Sequence, residues 1–215
     1  MNRFSEQARE DVIASMKRLR GMSDVQYLLH LTAYHAAPTL LGIKPATLVC
    51  PDSARADLPQ ALKECVPCLA RIFGVKVADF RNRAGALLYL VYQPALLQSV
   101  LAAEDVVRLL ADLGYDVAAA DAETLLSRLR RNFSDSRFPH EIGVFLGYPA
   151  EDVRRFMADG GRGCGAVGCW KAYGDAERVR RCSARYRRLK QHVAALIAAG
   201  HDLQGIVDGL RLLAA

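Results

Sequence analysis

Residues 75–92 read VKVADFRNRAGALLYLVY, and this segment sets the architecture. Val75–Phe80 and Ala86–Tyr92 have the composition of strands, and the turn residues of Asn82-Arg83-Ala84-Gly85 join them, so a hairpin is expected. The second strand is apolar on both faces. A strand of that kind belongs in the middle of a sheet that is covered on both sides. Upstream, Ala46–Cys50 (ATLVC) is a further short strand candidate. The rest of the chain is helical in pattern. Ser5–Leu19 and Ser23–Ala36 read as amphipathic helices, the second with Ser23 as N-cap and Pro38 as its stop. Asp57–Phe73 follows, closed by Gly74. After Pro94 come Ala95–Leu101, Glu104–Leu113 with Gly114 as C-cap, and Asp121–Asn132. Asp175 caps a long helix ending near Gly200, and Leu203–Leu213 forms the last. Many helices around one small sheet make an α+β fold, expected as a single, mostly helical domain over residues 1–215.

The chain is 52% hydrophobic and 24% charged, the composition of a globular rather than a disordered protein. Its formal net charge of +6 favours acidic partners. The N-terminal MNRFSEQAREDVIASMKRLRG alternates charged with apolar residues and lacks the unbroken apolar core of a secretory signal. The longest apolar run, Ala86–Tyr92, is far short of the ~20 residues that span a bilayer. A cytoplasmic protein with no membrane attachment is therefore expected, its six cysteines held as reduced thiols.

The unusual chemistry gathers in residues 138–175, FPHEIGVFLGYPAEDVRRFMADGGRGCGAVGCWKAYGD. This segment holds the one Trp of the chain and eight Gly. His140-Glu141 begins like a zinc-protease helix, but position 144 is Val where that chemistry needs a second His. Pro139 and Glu141 fit a helix start instead, which leaves His140 and Glu141 as candidates for acid/base work. Ile142–Phe156 has the spacing of two crossed helices, with Gly143 at their contact and Gly147 in the turn. The second helix would start with Glu151-Asp152, two carboxylates facing phosphate, so specific binding of duplex DNA is not expected. Gly163–Gly168 (GCGAVG) spells the dinucleotide fingerprint but lacks the strand before it and the helix after it, and a flexible glycine loop is expected.

Cys65-Val66-Pro67-Cys68 resembles a redox dithiol, yet it lies inside a helix rather than at its start, which favours structural burial. Cys65, Cys68, Cys164 and Cys169 together could be imagined as a zinc site, but the knuckle context is missing and no metal is assigned. Arg178–His192 (RVRRCSARYRRLKQH) is the strongest charge feature. Val179, Cys182, Tyr186, Leu189 and Val193 form its buried stripe, and the basic residues occupy the outer faces.

Phe138–Val153, followed by Cys169, Trp170, Lys171, Tyr173 and Asp175, resembles a bacterial family best represented in anaerobic Firmicutes, the domain of unknown function numbered thirty-seven ninety-three. That family has a Phe-Pro-His-Glu-Ile-Gly block running into a Gly-Tyr-Pro turn, then a Cys-Gly-Tyr-Trp-Lys-Val-Tyr-like block. It places a residue or two between Cys and Trp, so either Cys164 or Cys169 corresponds. His35–Leu48 (HAAPTLLGIKPATL) is similar to its Ala-Pro-Thr-Leu-x-Gly-x-Lys segment. The resemblance implies membership without an activity, and a connection to flavodoxin or iron-uptake functions.

The first functional expectation is an accessory or binding protein tied to iron or redox physiology, taking a small anionic ligand or an acidic partner such as a flavodoxin-like protein. No cofactor is assigned. Its pocket would be built from Ala37-Pro38-Thr39, Lys44, His140, Glu141, Trp170, Lys171 and Tyr173. The lysines would supply charge, Trp170 and Tyr173 a stacking surface, and His140 a polar anchor. Trp170 and Tyr173 are expected beside His140. Cys164 and Cys169, on a glycine loop near Arg162 and Lys171, are the expected reactive thiols. The alternatives are a nucleic-acid-binding regulator using the hairpin at 141–157 and the basic helix at 178–192, and an enzyme with His140 or Glu141 as acid/base.

Overall fold

A computed structural model describes residues 3–55, 57–118, 121–135 and 138–214; Met1 and Ala215, the ends of the expected domain, lie outside them. The described elements are α1 (Arg3–Arg20), α2 (Asp24–Leu40), β1 (Ala46–Val49), α3 (Leu58–Phe73), β2 (Lys76–Arg81), β3 (Leu87–Tyr92), α4 (Pro94–Leu101) and α5 (Glu104–Asp112). They continue with α6 (Ala122–Asp135), α7 (Ile142–Phe145), α8 (Ala150–Asp159), β4 (Ala166–Val167), β5 (Lys171–Ala172), α9 (Ala176–Ala199) and α10 (Leu203–Ala214). The fold is α+β. No described helix is long and apolar enough to cross a membrane.

The hairpin forms as its residues require. Gly85 N–H donates to the Asn82 carbonyl at 2.8 Å, and the Asn82 side chain accepts from Ala86 N–H at 2.9 Å. A φ of 78° at Gly85 closes the turn. β3 is central in the order β1-β3-β2, antiparallel to both neighbours, with Tyr89 opposite Val49 on one side and Asp79 on the other. Its apolar residues divide with period two. Leu87, Tyr89 and Val91 enter a core made with α1, α2, α3, α9 and α10, while Leu88, Leu90 and Tyr92 enter a second core made with α4 to α8. Burial of each such side chain contributes roughly 1.5–3 kcal/mol. The Tyr89 hydroxyl, inside the first core, is satisfied by Thr32 Oγ1 at 2.8 Å.

Three expectations need correction. First, α2 does not stop before Pro38 but runs through it to Leu40. So close to the helix end, the missing N–H removes a single hydrogen bond. The Pro38 carbonyl then accepts from Ile43 N–H at 2.8 Å and Lys44 N–H at 3.1 Å, which turns the chain toward β1 and fixes where Lys44 starts. Second, the two crossed helices over residues 142–156 reduce to a one-turn α7 followed by α8. Gly147, at φ 80°, ends the turn against Pro45, where a Cβ would lie 2.6 Å from Pro45 Cγ. The close contact expected at Gly143 is present, since a Cβ there would lie 2.6 Å from Val153 Cγ2. Third, the glycine-rich loop at 163–168 is part of a small hairpin, with Ala166 opposite Ala172 and Val167 opposite Lys171.

Candidate functional site

A cavity of about 1100 Å³ opens where the two cores meet beside β1. α9 forms one wall with Ser183, Tyr186, Arg187 and Lys190, residues whose spacing of three and four puts them on one helix face. α2 adds Tyr34, His35 and Pro38, and α1 adds Arg9 and Ile13. Lys44 enters from the α2–β1 connection, Tyr148 from the turn before α8, and Cys169 from the turn between β4 and β5.

The cavity is cationic. Lys44 is 8% exposed and has neither a hydrogen-bond nor an ion-pair partner for its ammonium among the described residues. Its Nζ lies 5.4 Å from the centre of the Tyr148 ring and 5.8 Å from that of Tyr186, within cation–π range. Burial holds the Lys44 pKa down to about 8; a charge on Cys169 works against that shift and Lys190 adds to it. Burial also lowers Lys190, whose Nζ sits 5.5 Å over the Tyr34 ring. Burial first, then Lys190, lowers His35 to about 4. Arg9 and Arg187 complete the set, and no Asp or Glu lines the cavity among the described residues. Such a lining gives the cavity a positive potential.

A smaller cavity of about 380 Å³ adjoins it, and Leu146, Tyr148, Val167 and Gly168 line both. His140, Trp170 and Lys171 line the smaller one. The Trp170 ring stacks on Tyr148 with centroids 5.1 Å apart, and its Nε1–H donates to Asp152 Oδ2 at 2.8 Å. Asp152 Oδ1 accepts from Tyr173 N–H at 2.8 Å and Gly174 N–H at 3.1 Å. The buried Asp152 carboxylate thus latches the β5 segment to α8. Lys171 Nζ donates to the Gly161 carbonyl at 2.8 Å. The His140 ring meets Phe156 edge-on at 5.0 Å.

The sequence candidates are therefore divided. Trp170 and Lys171 share a cavity with His140, whereas Tyr173 lines neither cavity and its buried hydroxyl has no partner among the described residues. Lys44 faces the larger cavity. Thr39 is one layer behind it, fully buried and bonded to the cavity residue Thr47 through their hydroxyls at 2.8 Å. Ala37 is buried in the first core. Glu141 turns away from its neighbour His140 into the second core, where its Oε1 accepts from the Tyr115 hydroxyl at 3.0 Å and from Asn132 Nδ2 at 2.7 Å. Cys169 lines the larger cavity; Cys164 is half-buried and lines neither.

Gly168 explains how Cys169 is placed. A Cβ there would lie 3.0 Å from Val179 Cγ2 and collide with Ser183 Oγ, so only glycine lets the hairpin rest on α9. Ser183 Oγ then accepts from Cys169 N–H at 2.9 Å and donates to Cys169 Sγ at 3.3 Å. The imagined four-cysteine zinc site does not assemble: no three His, Cys, Asp or Glu residues gather as metal ligands among the described residues. Cys65 is buried in α3, donates to the Val25 carbonyl at 3.4 Å, and has its thiol pushed up to about 12, chiefly by burial. At α8 the exposed arginines find acidic neighbours: Arg154 approaches Glu151 at 3.5 Å and Asp112 at 3.8 Å, and Arg155 approaches Glu151 at 3.8 Å.

Sequence reading did not assign Tyr34, His35, Tyr148, Ser183, Tyr186, Arg187 and Lys190 to a pocket. A signal existed in the spacing of Ser183, Tyr186, Arg187 and Lys190, which makes one polar and aromatic helix face beside the apolar one.

No curated protein and no solved structure matches the chain. The model of a family described as "Protein of unknown function (DUF3793)" matches residues 32–207. That span contains the whole smaller cavity and every described wall of the larger one except α1. By that match, the chain belongs to the DUF3793 family.

Proposed function

We propose that the protein binds a small organic anion in the larger cavity, with the anionic group inward and an apolar part toward the mouth. The observation that carries this is Lys44, buried with no counter-ion among the described residues, in a cavity whose described lining has no carboxylate. A buried ammonium is unfavourable unless an anion accompanies it. A ligand carboxylate or phosphate supplies that partner. Lys190, Arg187 and Arg9 draw it in, and Tyr148 and Tyr186 flank the ammonium it meets. Ile13 and Val167, 69% and 73% exposed, line the same cavity and offer an apolar contact to the rest of the molecule. Trp170 supports Tyr148 from behind by stacking, Lys171 and His140 shape the adjoining space, and Thr39 fixes Thr47.

Thermal denaturation with matched probes tests this. Phenyl phosphate and benzoate should raise the melting temperature, and phenol and benzyl alcohol should not. At a hundred times its Kd a ligand adds about 2.7 kcal/mol, so a binder is easily seen. Equal shifts from charged and neutral members would end the proposal.

A second reading, docking of an acidic protein of the flavodoxin-like kind, has its own support. Arg181, Arg185, Arg188 and His192 of α9 line an outer groove of about 910 Å³, with Leu213 52% exposed at its side. Paired Arg185→Glu and Arg188→Glu changes should then abolish salt-sensitive binding of a purified flavodoxin; unchanged binding would dismiss this face.

A further inference from the structure

We propose that Cys169 is a nucleophilic thiol that exchanges with small anionic disulfides drawn into the larger cavity, and so becomes a site of reversible thiolation. This rests on reading the cavity as an anion site. Cys169 is the one cysteine among the described lining residues. Its backbone N–H is held by Ser183 Oγ at 2.9 Å, and the same hydroxyl donates to Sγ at 3.3 Å. Sγ is thereby oriented as an acceptor on a turn that Gly168 presses against α9. Independently, Lys44, a residue 8% exposed, lines the same cavity with an ammonium that has no hydrogen-bond or ion-pair partner among the described residues. Lys190, Arg187 and Arg9 add positive charge around it. Cys169, Lys44 and Lys190 all line this one cavity, so the thiol and the two ammonium groups face a common space.

None of the other five cysteines is among the described residues that line the larger cavity. Cys65 is sealed in the first core. Cys50 is exposed but lines none of these cavities.

In the proposed step the Cys169 thiol gives its proton to solvent and its sulfur attacks one sulfur of R–S–S–R. A Cys169–S–S–R bond forms, the original S–S bond breaks, and R–S⁻ leaves and takes up a proton. Cys169 is oxidised to the mixed disulfide, and half of the incoming disulfide is reduced to R–SH. The co-reactant is the anionic disulfide itself, and an excess of external thiol reverses the step. Rates in such exchange depend on access and on the charges around the attacking sulfur.

The test uses the full, fully reduced chain and three disulfides of similar size. These are 3,3′-dithiodipropionate (anionic), bis(2-hydroxyethyl) disulfide (neutral) and cystamine (cationic). Intact mass gives the stoichiometry, and peptide mapping gives the site and its rate. Cys169 should be modified first by the dianion, at least ~10-fold faster than by cystamine, because charge steering of this size is common in basic clefts. The preference should shrink in high salt and in Lys44→Met. It should be absent at Cys50, the internal control. Phenyl phosphate should protect Cys169 from the dianion. First labelling at another cysteine, or the same charge ratio at Cys169 and Cys50, would overturn the proposal. If phenyl phosphate binds the wild type in a Lys44-dependent manner while Cys169 shows no charge preference, the thiol inference fails and the anion site stands. If phenyl phosphate does not bind, the anion site fails and this inference falls with it.

Discussion

Keeping Lys44 protonated costs the folded state stability. Its folded pKa of about 8 lies below the ordinary 10.5, so between these values the unfolded chain binds more protons than the native one. Native stability therefore rises as pH climbs through that window, and the full penalty applies below it. Lys44→Met removes the buried charge and keeps an unbranched side chain. It should stabilise the protein at pH 7 by about 1–3 kcal/mol and flatten the alkaline rise. Urea denaturation at several pH values measures both; a destabilisation of similar size would mean that the ammonium is already satisfied. His35 works in another window. Its pKa falls from 6.5 to about 4 on folding, so its contribution is present above 6.5 and disappears as pH drops toward 4. His35→Gln should flatten the stability curve between those limits, and an unchanged acid limb would show that His35 is not desolvated.

At the level of elements, the β4–β5 hairpin depends on two contacts. Asp152 accepts from Trp170, Tyr173 and Gly174, so Asp152→Ala leaves three donors without their carboxylate. A loss of about 2–4 kcal/mol is expected. Trp170 is the sole tryptophan, and its emission should shift to the red as the hairpin loosens. A variant with wild-type stability and emission would refute the latch. Gly168→Ala forces a methyl against Ser183 and Val179 and should cost about 1–3 kcal/mol. Adding Ser183→Gly should recover part of that loss, and no recovery in the double-mutant cycle would place the strain elsewhere. The same hairpin marks where sequence reading ran out. Two-residue strands have no periodicity of their own; these exist because Gly168 and Asp152 dock them on α9 and α8. β3 was legible because six buried apolar residues in a row have few other uses. α9 was legible from Asp175 and Gly200, which cap it in the structure as well. Pro38 misled because its place in the last turn of α2 is visible only once the turn is formed.

For the whole molecule, β3 separates two cores, and the larger cavity lies where they meet. α1, α2 and α9 of the first core supply its walls, while Leu146 and Tyr148 come from the second. Lys44, His140, Trp170 and Lys171 stood out by residue type, but type alone could not divide them between two cavities or send Glu141 inward. The α9 face escaped notice because a basic helix reads as solvated until α1 and the hairpin are placed beside it. The measurement closest to the central claim is titration calorimetry of phenyl phosphate into wild type and Lys44→Met at pH 7, with phenol as the neutral control. An anion site predicts one phenyl phosphate per chain for the wild type, weakened by salt. It also predicts affinity reduced at least ~10-fold in Lys44→Met, the loss of one charge-assisted bond, and no heat from phenol. Equal affinity in the two proteins, or binding of phenol as strong as that of phenyl phosphate, would contradict it.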